Sequence, residues 1–141
     1  MRRSRSTPRP RVLVVECDPT NLELMNEFLT AIEHEPLLAA TAREARDRLD
    51  ADGDGVGVLL TEISLESRED GLALTRELRA DEQWRELPII AVTGRAFPAD
   101  RERALAAGCT ACLTKPFSLR DLSDLLSDVD RIAPDAGRAA A

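Results

Sequence analysis

Apolar residues fall into compact runs along the chain instead of being scattered evenly. Four runs stand out, at residues 12–15, 56–60, 89–92 and 111–113, and a weaker one covers residues 37–40. The runs do not alternate with polar residues, and unbroken apolar runs of this length are typical of strands that are covered on both faces. The pattern therefore predicts five strands of a parallel sheet.

Helical patterns fill the intervals between the strands and follow the last one. Signals for helix starts are Asp18-Pro19, Thr41-x-x-Glu44, Pro98 and Ser118-x-x-Asp121. The predicted buried stripe of the fifth helix consists of Leu119, Leu122, Leu125, Val129 and Ile132. Five strands alternating with five helices predict a doubly wound α/β sheet, because right-handed crossovers carry each helix across one face.

The chain has the length and composition of one soluble domain, with 141 residues of which 43% are apolar. No apolar stretch approaches a membrane span, and the arginine-rich start lacks the apolar core of a signal peptide, so we expect a cytoplasmic protein. Residues 1–10 are expected to form a disordered basic arm, and residues 132–141 a disordered tail. The net charge of -7 argues against a body that binds nucleic acid, and no DNA-binding domain is expected.

Three cysteines without an export signal suggest reduced thiols and not a disulfide framework. Cys109 and Cys112 form a C-x-x-C pair, for which a zinc or redox site stays open, although small buried residues are the favoured interpretation. The single histidine, His34, precedes the second strand and is interpreted as a surface turn residue.

Polar residues follow the predicted strands. They are Glu16, Cys17 and Asp18 after the first strand, Thr61 and Glu62 after the third, Thr93 after the fourth and Lys115 after the fifth. Ligands of doubly wound sheets bind beyond the carboxyl ends of the strands, so we expect these residues to meet in one crevice. Carboxylates hold hard divalent cations, and Thr and Lys hold phosphoryl oxygens.

Over residues 11–131 the chain resembles the receiver domain of two-component response regulators. The resemblance lies in VLVVECDPTNLEL at residues 12–24, VLLTEISL followed by Asp70-Gly71, PIIAVTG at residues 88–94, and DRERALAAGCTACLTKPFSLRDL at residues 100–122. It implies a flavodoxin-like fold with strand order 2-1-3-4-5. It also implies a domain that takes a phosphoryl group from a histidine kinase or phosphotransfer protein onto an Asp, with Mg²⁺ bound.

The resemblance assigns roles to the acceptor and metal positions. Glu62 matches the phosphoacceptor, and Glu16 and Cys17 match the acidic pair that helps to bind Mg²⁺. The main-chain carbonyl of Ser64 matches a further metal ligand.

The switch positions are carried over in the same way. Thr93 matches the switch hydroxyl and Lys115 the phosphate-contacting lysine, and the peptide bond between Lys115 and Pro116 is expected to be cis. Cys112 stands where the family has its switch aromatic residue.

Two of these positions depart from the family pattern in ways that matter chemically. The Glu62 carboxylate extends about 1.5 Å further than that of an Asp, and a misplacement of about 1 Å costs roughly two orders of magnitude in a positioned reaction. The thiol of Cys17 is a poor ligand for Mg²⁺, which takes oxygen donors. We therefore expect weak Mg²⁺ binding and slow or absent phosphorylation.

The leading hypothesis is a stand-alone, atypical receiver that acts as a protein-interaction module and not as an enzyme. Its expected partners are a histidine kinase, a phosphotransfer protein or a downstream output protein, and a homodimer stays open. The alternative is a functional phosphorelay receiver that uses Glu62 or a neighbouring acid. A small flavodoxin-like enzyme has little support, because no phosphate-cradling glycine loop follows the first strand.

Overall fold

The computed structural model describes residues 10–64, 70–94 and 98–132. Its strands are β1 (Arg11–Val15), β2 (Pro36–Ala39), β3 (Val56–Glu62), β4 (Ile89–Thr93) and β5 (Ala111–Thr114). Its helices are α1 (Pro19–Ala31), α2 (Ala42–Asp52), α3 (Asp70–Arg79), α4 (Pro98–Ala107) and α5 (Leu119–Ile132). The predicted alternation of strands and helices is confirmed, with strand bounds that differ by one or two residues.

The strands form one parallel sheet in the order β2-β1-β3-β4-β5. The register places Val15 beside Thr61 and Glu62 beside Val92, so that β1, β3 and β4 end at the same edge. The predicted doubly wound fold and its strand order are confirmed. The polar residues that follow these strands are consequently held at one edge of the sheet.

Both faces of the sheet are covered, because successive residues of a strand point to opposite sides. Leu13 and Leu59 face α2, α3 and α4, whereas Val14 and Leu60 face α1 and α5. Full burial of one such side chain contributes about 1.5–3 kcal/mol, so two apolar layers supply a rigid support for the strand ends.

Both predicted capping boxes form. Thr41 accepts a hydrogen bond from the Glu44 amide at 3.0 Å, and the Glu44 carboxylate accepts one from the Ala40 amide at 2.6 Å, one residue before the cap. Ser118 and Asp121 exchange reciprocal bonds of 3.0 Å between side chain and main chain. These bonds satisfy amides that lack partners at a helix start, and they fix where α2 and α5 begin.

The buried stripe of α5 differs from the predicted one. Leu122 and Val129 are buried as expected, but Leu126 is also buried and is only 3% exposed. Leu125 is partly buried at the rim of the same cluster. Adjacent leucines leave the phase of the stripe ambiguous in sequence, and packing against the sheet decides it. The side chain of Ile132 lies outside the described part of the chain.

The interpretation of His34 as a surface turn residue is wrong. His34 is only 6% exposed, and its Nδ1 lies 3.0 Å from the Pro10 carbonyl oxygen. A carbonyl oxygen only accepts, so Nδ1 carries the proton and donates. The ring fixes the start of β1 at the edge of the sheet opposite the crevice, a contact between distant residues that sequence spacing does not reveal.

The predicted terminal extensions fall almost wholly outside the described residues, which begin at Pro10 and end at Ile132. Among the described helices, none has both the length and the apolar character needed to cross a membrane.

Candidate functional site

Three charged side chains meet at the carboxyl edge of the sheet. Glu62 is the last residue of β3, Glu16 follows β1 and Lys115 follows β5. The Lys115 Nζ donates to Glu62 Oε1 at 2.5 Å and to Glu16 Oε1 at 2.9 Å. Hydrogen bonds between ionised groups are shorter and roughly twice as strong as neutral ones. The ammonium therefore bridges two carboxylates that come from different strands.

The two carboxylates differ in exposure and in their hydrogen bonds to the main chain. The side chain of Glu16 is 8% exposed, and that of Glu62 is 14% exposed. The second carboxylate oxygen of Glu16 accepts a hydrogen bond from the Asp18 amide at 3.2 Å. Both oxygens of Glu16 are thus engaged within the protein, which ties the end of β1 to the start of α1.

The ionisation of the bridge reflects its burial. Burial raises the pKa of Glu62 above its ordinary value of 4.5, and the Lys115 ammonium opposes this rise while the Glu16 carboxylate adds to it. Burial alone would lower the pKa of Lys115, but its bonds to Glu62 and Glu16 outweigh that effect and raise the pKa above 10.5. The lysine is accordingly charged at neutral pH, and it shares that charge between two acids.

The two threonines at the strand ends occupy different environments. Thr93 is 7% exposed at the end of β4, and its carbonyl accepts a hydrogen bond from the Lys115 amide at 2.7 Å. The expectation that Thr61 shares the crevice is wrong, because Thr61 is fully buried and its hydroxyl donates to the Glu62 carbonyl at 3.1 Å. Adjacent residues of a strand face opposite sides, so Thr61 and Glu62 cannot both enter it.

The remaining candidate metal donors do not complete a magnesium site. Cys17 is exposed and offers a thiol, and the carboxylate of Asp18 caps α1 by accepting from the Thr20 amide at 2.9 Å. Ser64 is exposed after β3 and offers only its main-chain carbonyl. Magnesium takes oxygen donors, and in this set Cys17 offers a thiol in place of one, so the residues fit the ion poorly.

The other two cysteines are Cys112, which lies in β5, and Cys109, which lies in the loop before it. Cys112 is partly buried at the rim of the core, and Cys109 is buried with its sulfur 3.7 Å from the Thr75 hydroxyl. Burial raises the pKa of both thiols. Within the described ranges no three or more His, Cys, Asp and Glu residues are arranged to hold a metal ion. The favoured interpretation of small buried residues agrees with this packing.

The peptide bond between Lys115 and Pro116 is cis, as the resemblance implied. It lies directly after the lysine that bridges the two carboxylates, at the start of the loop that leads from β5 to α5.

Gly71 positions the end of β3, a role that the polar residues after the strands do not reveal. Its amide donates to the Ile63 carbonyl at 2.8 Å, which brings α3 against the end of β3. A Cβ at this position would lie 1.9 Å from the Glu62 carbonyl oxygen, so only glycine permits this approach. The Asp70-Gly71 pair next to the site was the available sequence signal.

A cavity of about 210 Å³ adjoins the bridge and was also missed. It lies between α1 and the loop after β5, with Met25 and Phe28 on one side and Phe117 on the other. A cavity depends on how neighbouring elements fail to fill the space between them. Residue spacing carries no such information.

Comparison with known proteins gives a consistent family assignment. Residues 12–127 match the response regulator receiver domain family. The polar-differentiation response regulator DivK of Brucella ovis is 33% identical over 108 residues, which is 77% of this chain and 85% of the relative. The DivK of Brucella anthropi is 32% identical over the same shares.

Solved structures agree. The receiver domain of a sensor histidine kinase from Pseudomonas aeruginosa, which has a magnesium ion in its active site cleft, is 32% identical with a TM-score of 0.76, over 84% of this chain and 95% of that one. The chemotaxis regulator CheY4 of Vibrio cholerae has a TM-score of 0.77 over 85% and 98% of the two chains, and its 23% identity supports the fold alone. This chain belongs to the response regulator receiver domain family of two-component signalling.

Proposed function

We propose that the chain is an atypical receiver that works as a protein-interaction module without being phosphorylated. In this proposal Glu62 stands at the phosphoacceptor position. The observation that carries it is the bridge, in which the Lys115 Nζ is held 2.5 Å from Glu62 and 2.9 Å from Glu16. The lysine that would contact an incoming phosphoryl group already donates two of its three N–H groups to carboxylates of the protein.

The charge of Glu62 supports a fixed signalling state. A phosphoryl group carries about -1.5 to -2 charges at neutral pH, whereas a carboxylate carries one. Glu62 reaches Lys115 as a phosphoryl oxygen would, so its carboxylate supplies part of that charge without phosphorylation. The crevice then holds this arrangement without a phosphoryl group.

Metal binding is the second support. Cys17 stands at the position of the second metal-binding acid, and its exposed thiol is a poor ligand for Mg²⁺, which takes oxygen donors. Glu16 is also tied by hydrogen bonds to Lys115 and to the Asp18 amide. Weak Mg²⁺ binding disfavours phosphoryl transfer by the family route.

The expected partners are a histidine kinase, a phosphotransfer protein or a downstream output protein. The surface formed by α4, β5 and α5 is the proposed contact region. Leu105 of α4 is 42% exposed there, and an exposed leucine is a candidate anchor for a protein interface.

The test combines phosphorylation with reversion. Intact mass is measured after incubation with acetyl phosphate and Mg²⁺ for the parent chain, Glu62→Asp, Cys17→Asp and the double variant. We expect no adduct on the parent and an adduct on the double variant, because only the latter restores both the acceptor reach and an oxygen donor. Glu27→Asp, which shortens an exposed carboxylate of α1, is the matched control.

The alternative is a functional phosphorelay receiver. Its support is the 32% identity to the Pseudomonas aeruginosa receiver, which has a magnesium ion in its active site cleft. A labile adduct on Glu62 of the parent chain, or Mg²⁺-dependent binding of beryllium fluoride there, would establish this alternative and overturn the first proposal.

A further inference from the structure

The cavity beside the bridge has an apolar body and one charged end. Leu24, Met25 and Phe28 of α1 form one wall and Phe117 forms part of the other, while Glu16, Glu62 and Lys115 form the charged end. Sites for small ligands are typically lined by apolar and aromatic side chains around a few polar groups that fix orientation. The cavity has this composition.

Its size limits the ligand. The cavity measures about 210 Å³. Because an apolar cavity of about 150 Å³ takes up benzene, this one accommodates an aromatic ring with a chain of two or three atoms, or roughly nine non-hydrogen atoms. Peptides and nucleotides are larger than this space.

The charges around the cavity select the sign of the ligand. The bridge combines two carboxylates with one ammonium and so has a net negative charge. Beside it, α1 carries Glu23 and Glu27 and contains no Lys or Arg. The potential at the cavity mouth consequently favours a cation over a carboxylate.

Glu62 is the carboxylate that a cation would reach. Glu16 and Glu62 both line the cavity, but the side chain of Glu62 is 14% exposed against 8% for Glu16, and only Glu16 also accepts a hydrogen bond from the Asp18 amide. A charge-assisted hydrogen bond to a partly buried carboxylate adds orientation as well as affinity.

We propose that this cavity binds a small primary amine with an aromatic or short alkyl body. The body lies between α1 and Phe117, and the ammonium group donates to the carboxylate of Glu62. The bound amine competes with Lys115 for that carboxylate and loosens the connection between β3 and the loop after β5. This proposal rests on the proposed function in one respect, since it requires the carboxylate of Glu62 to be unmodified.

Calorimetric titration of the unmodified full chain with phenethylamine tests this site, with phenethyl alcohol and phenylacetate as neutral and anionic comparators. We expect the amine to bind at least about tenfold more tightly than phenylacetate, which is the worth of one charge-assisted hydrogen bond. Amide chemical shift changes should cluster at Leu24, Phe28 and Phe117. Equal binding of amine and acid, or shifts spread over the whole protein, would overturn the proposal.

Two variants locate the ligand. Glu62→Gln should weaken amine binding about tenfold and leave the neutral alcohol unchanged. Leu24→Lys places a cation at the mouth of the cavity and should abolish amine binding. Leu105→Lys is the control and should leave amine binding unchanged, because it alters a helical leucine on α4 that is 42% exposed, against 45% for Leu24. If the two lysine variants bind the amine equally, the cavity is not the site. This comparison remains valid if Glu62→Gln fails to fold.

Discussion

At the amino ends of the strands Arg11 pairs with the exposed carboxylates of Asp52 and Glu35, at 3.1 Å and 3.5 Å. At the carboxyl ends Lys115 pairs with two carboxylates that are nearly buried. The Arg11 guanidinium lowers the pKa of Asp52, which is the ordinary effect of a cation on a solvated acid. Burial instead raises the pKa of Glu62 despite its lysine.

The difference shows what each edge does. Exposed ion pairs at the amino edge are screened by solvent and contribute little to stability. The bridge at the carboxyl edge keeps three charges in a low-dielectric crevice, where each depends strongly on the others. Chemical sensitivity is therefore concentrated at the carboxyl edge, whereas the amino edge is held by exposed ion pairs together with the contact between the buried His34 and Pro10.

Removing the ammonium group of Lys115 should cause the largest loss of stability at either edge of the sheet. Lys115→Met leaves Glu16 and Glu62 facing each other without a counter-charge, and the loss of one partner from a mostly buried pair costs about 2–4 kcal/mol after allowance for partial exposure. Urea denaturation at pH 7 measures the loss. The loss should shrink at lower pH, where the carboxylate of Glu62, whose pKa is raised by burial, takes up a proton.

Arg11→Met is the matched change at the opposite edge and should cost much less, because its partners Asp52 and Glu35 are 60% and 68% exposed. Equal losses for the two variants would remove the distinction between the edges.

The approach of α3 to the strand end gives a prediction of intermediate size. Gly71→Ala places a Cβ against the Glu62 carbonyl oxygen and should cost about 1–3 kcal/mol by forcing the backbone apart. Gly94→Ala is the control, since a Cβ there meets no atom within 4 Å. Thermal unfolding of both variants checks the pair, and similar melting temperatures would contradict the claim that Gly71 positions β3.

The smallest effect concerns pH. A carboxyl group whose folded pKa is raised stabilises the fold below its unfolded pKa and loses that contribution as pH rises through the folded value. The parent chain should therefore lose stability relative to Glu62→Gln as pH rises from 4.5, by at most about 1.4 kcal/mol for each pH unit. Urea midpoints across this range measure it, with Glu27→Gln as the control for a lost charge. A difference that grows in favour of the parent would refute the assignment.

Much of this arrangement could be predicted because it follows from local patterns. Unbroken apolar runs predict the strands, and parallel strands place Glu16, Glu62 and Lys115 at one edge whatever the details of packing. The capping boxes at Thr41 and Ser118 depend on residues three positions apart, so they too are visible in sequence.

What could not be predicted depends on contacts between distant residues. His34 is buried because the Pro10 carbonyl lies above it, and Leu126 is buried because α5 settles with that face on the sheet. Thr61 lies outside the crevice because adjacent residues of a strand face opposite sides and Glu62 lines the crevice. The cavity beside Phe28 and Phe117 is defined by space that no residue fills.

The bridge also bears on the order in which the chain folds. Glu16 and Lys115 are separated by 99 positions and Glu62 and Lys115 by 53, so their contacts close very long loops. Such contacts form only after most of the chain is assembled, because the entropy of loop closure must be met first. Interactions absent from the folding transition state act on the rate of unfolding. We therefore expect changes to the bridge to alter the rate of unfolding, and with it the lifetime of the folded molecule, more than the rate of folding.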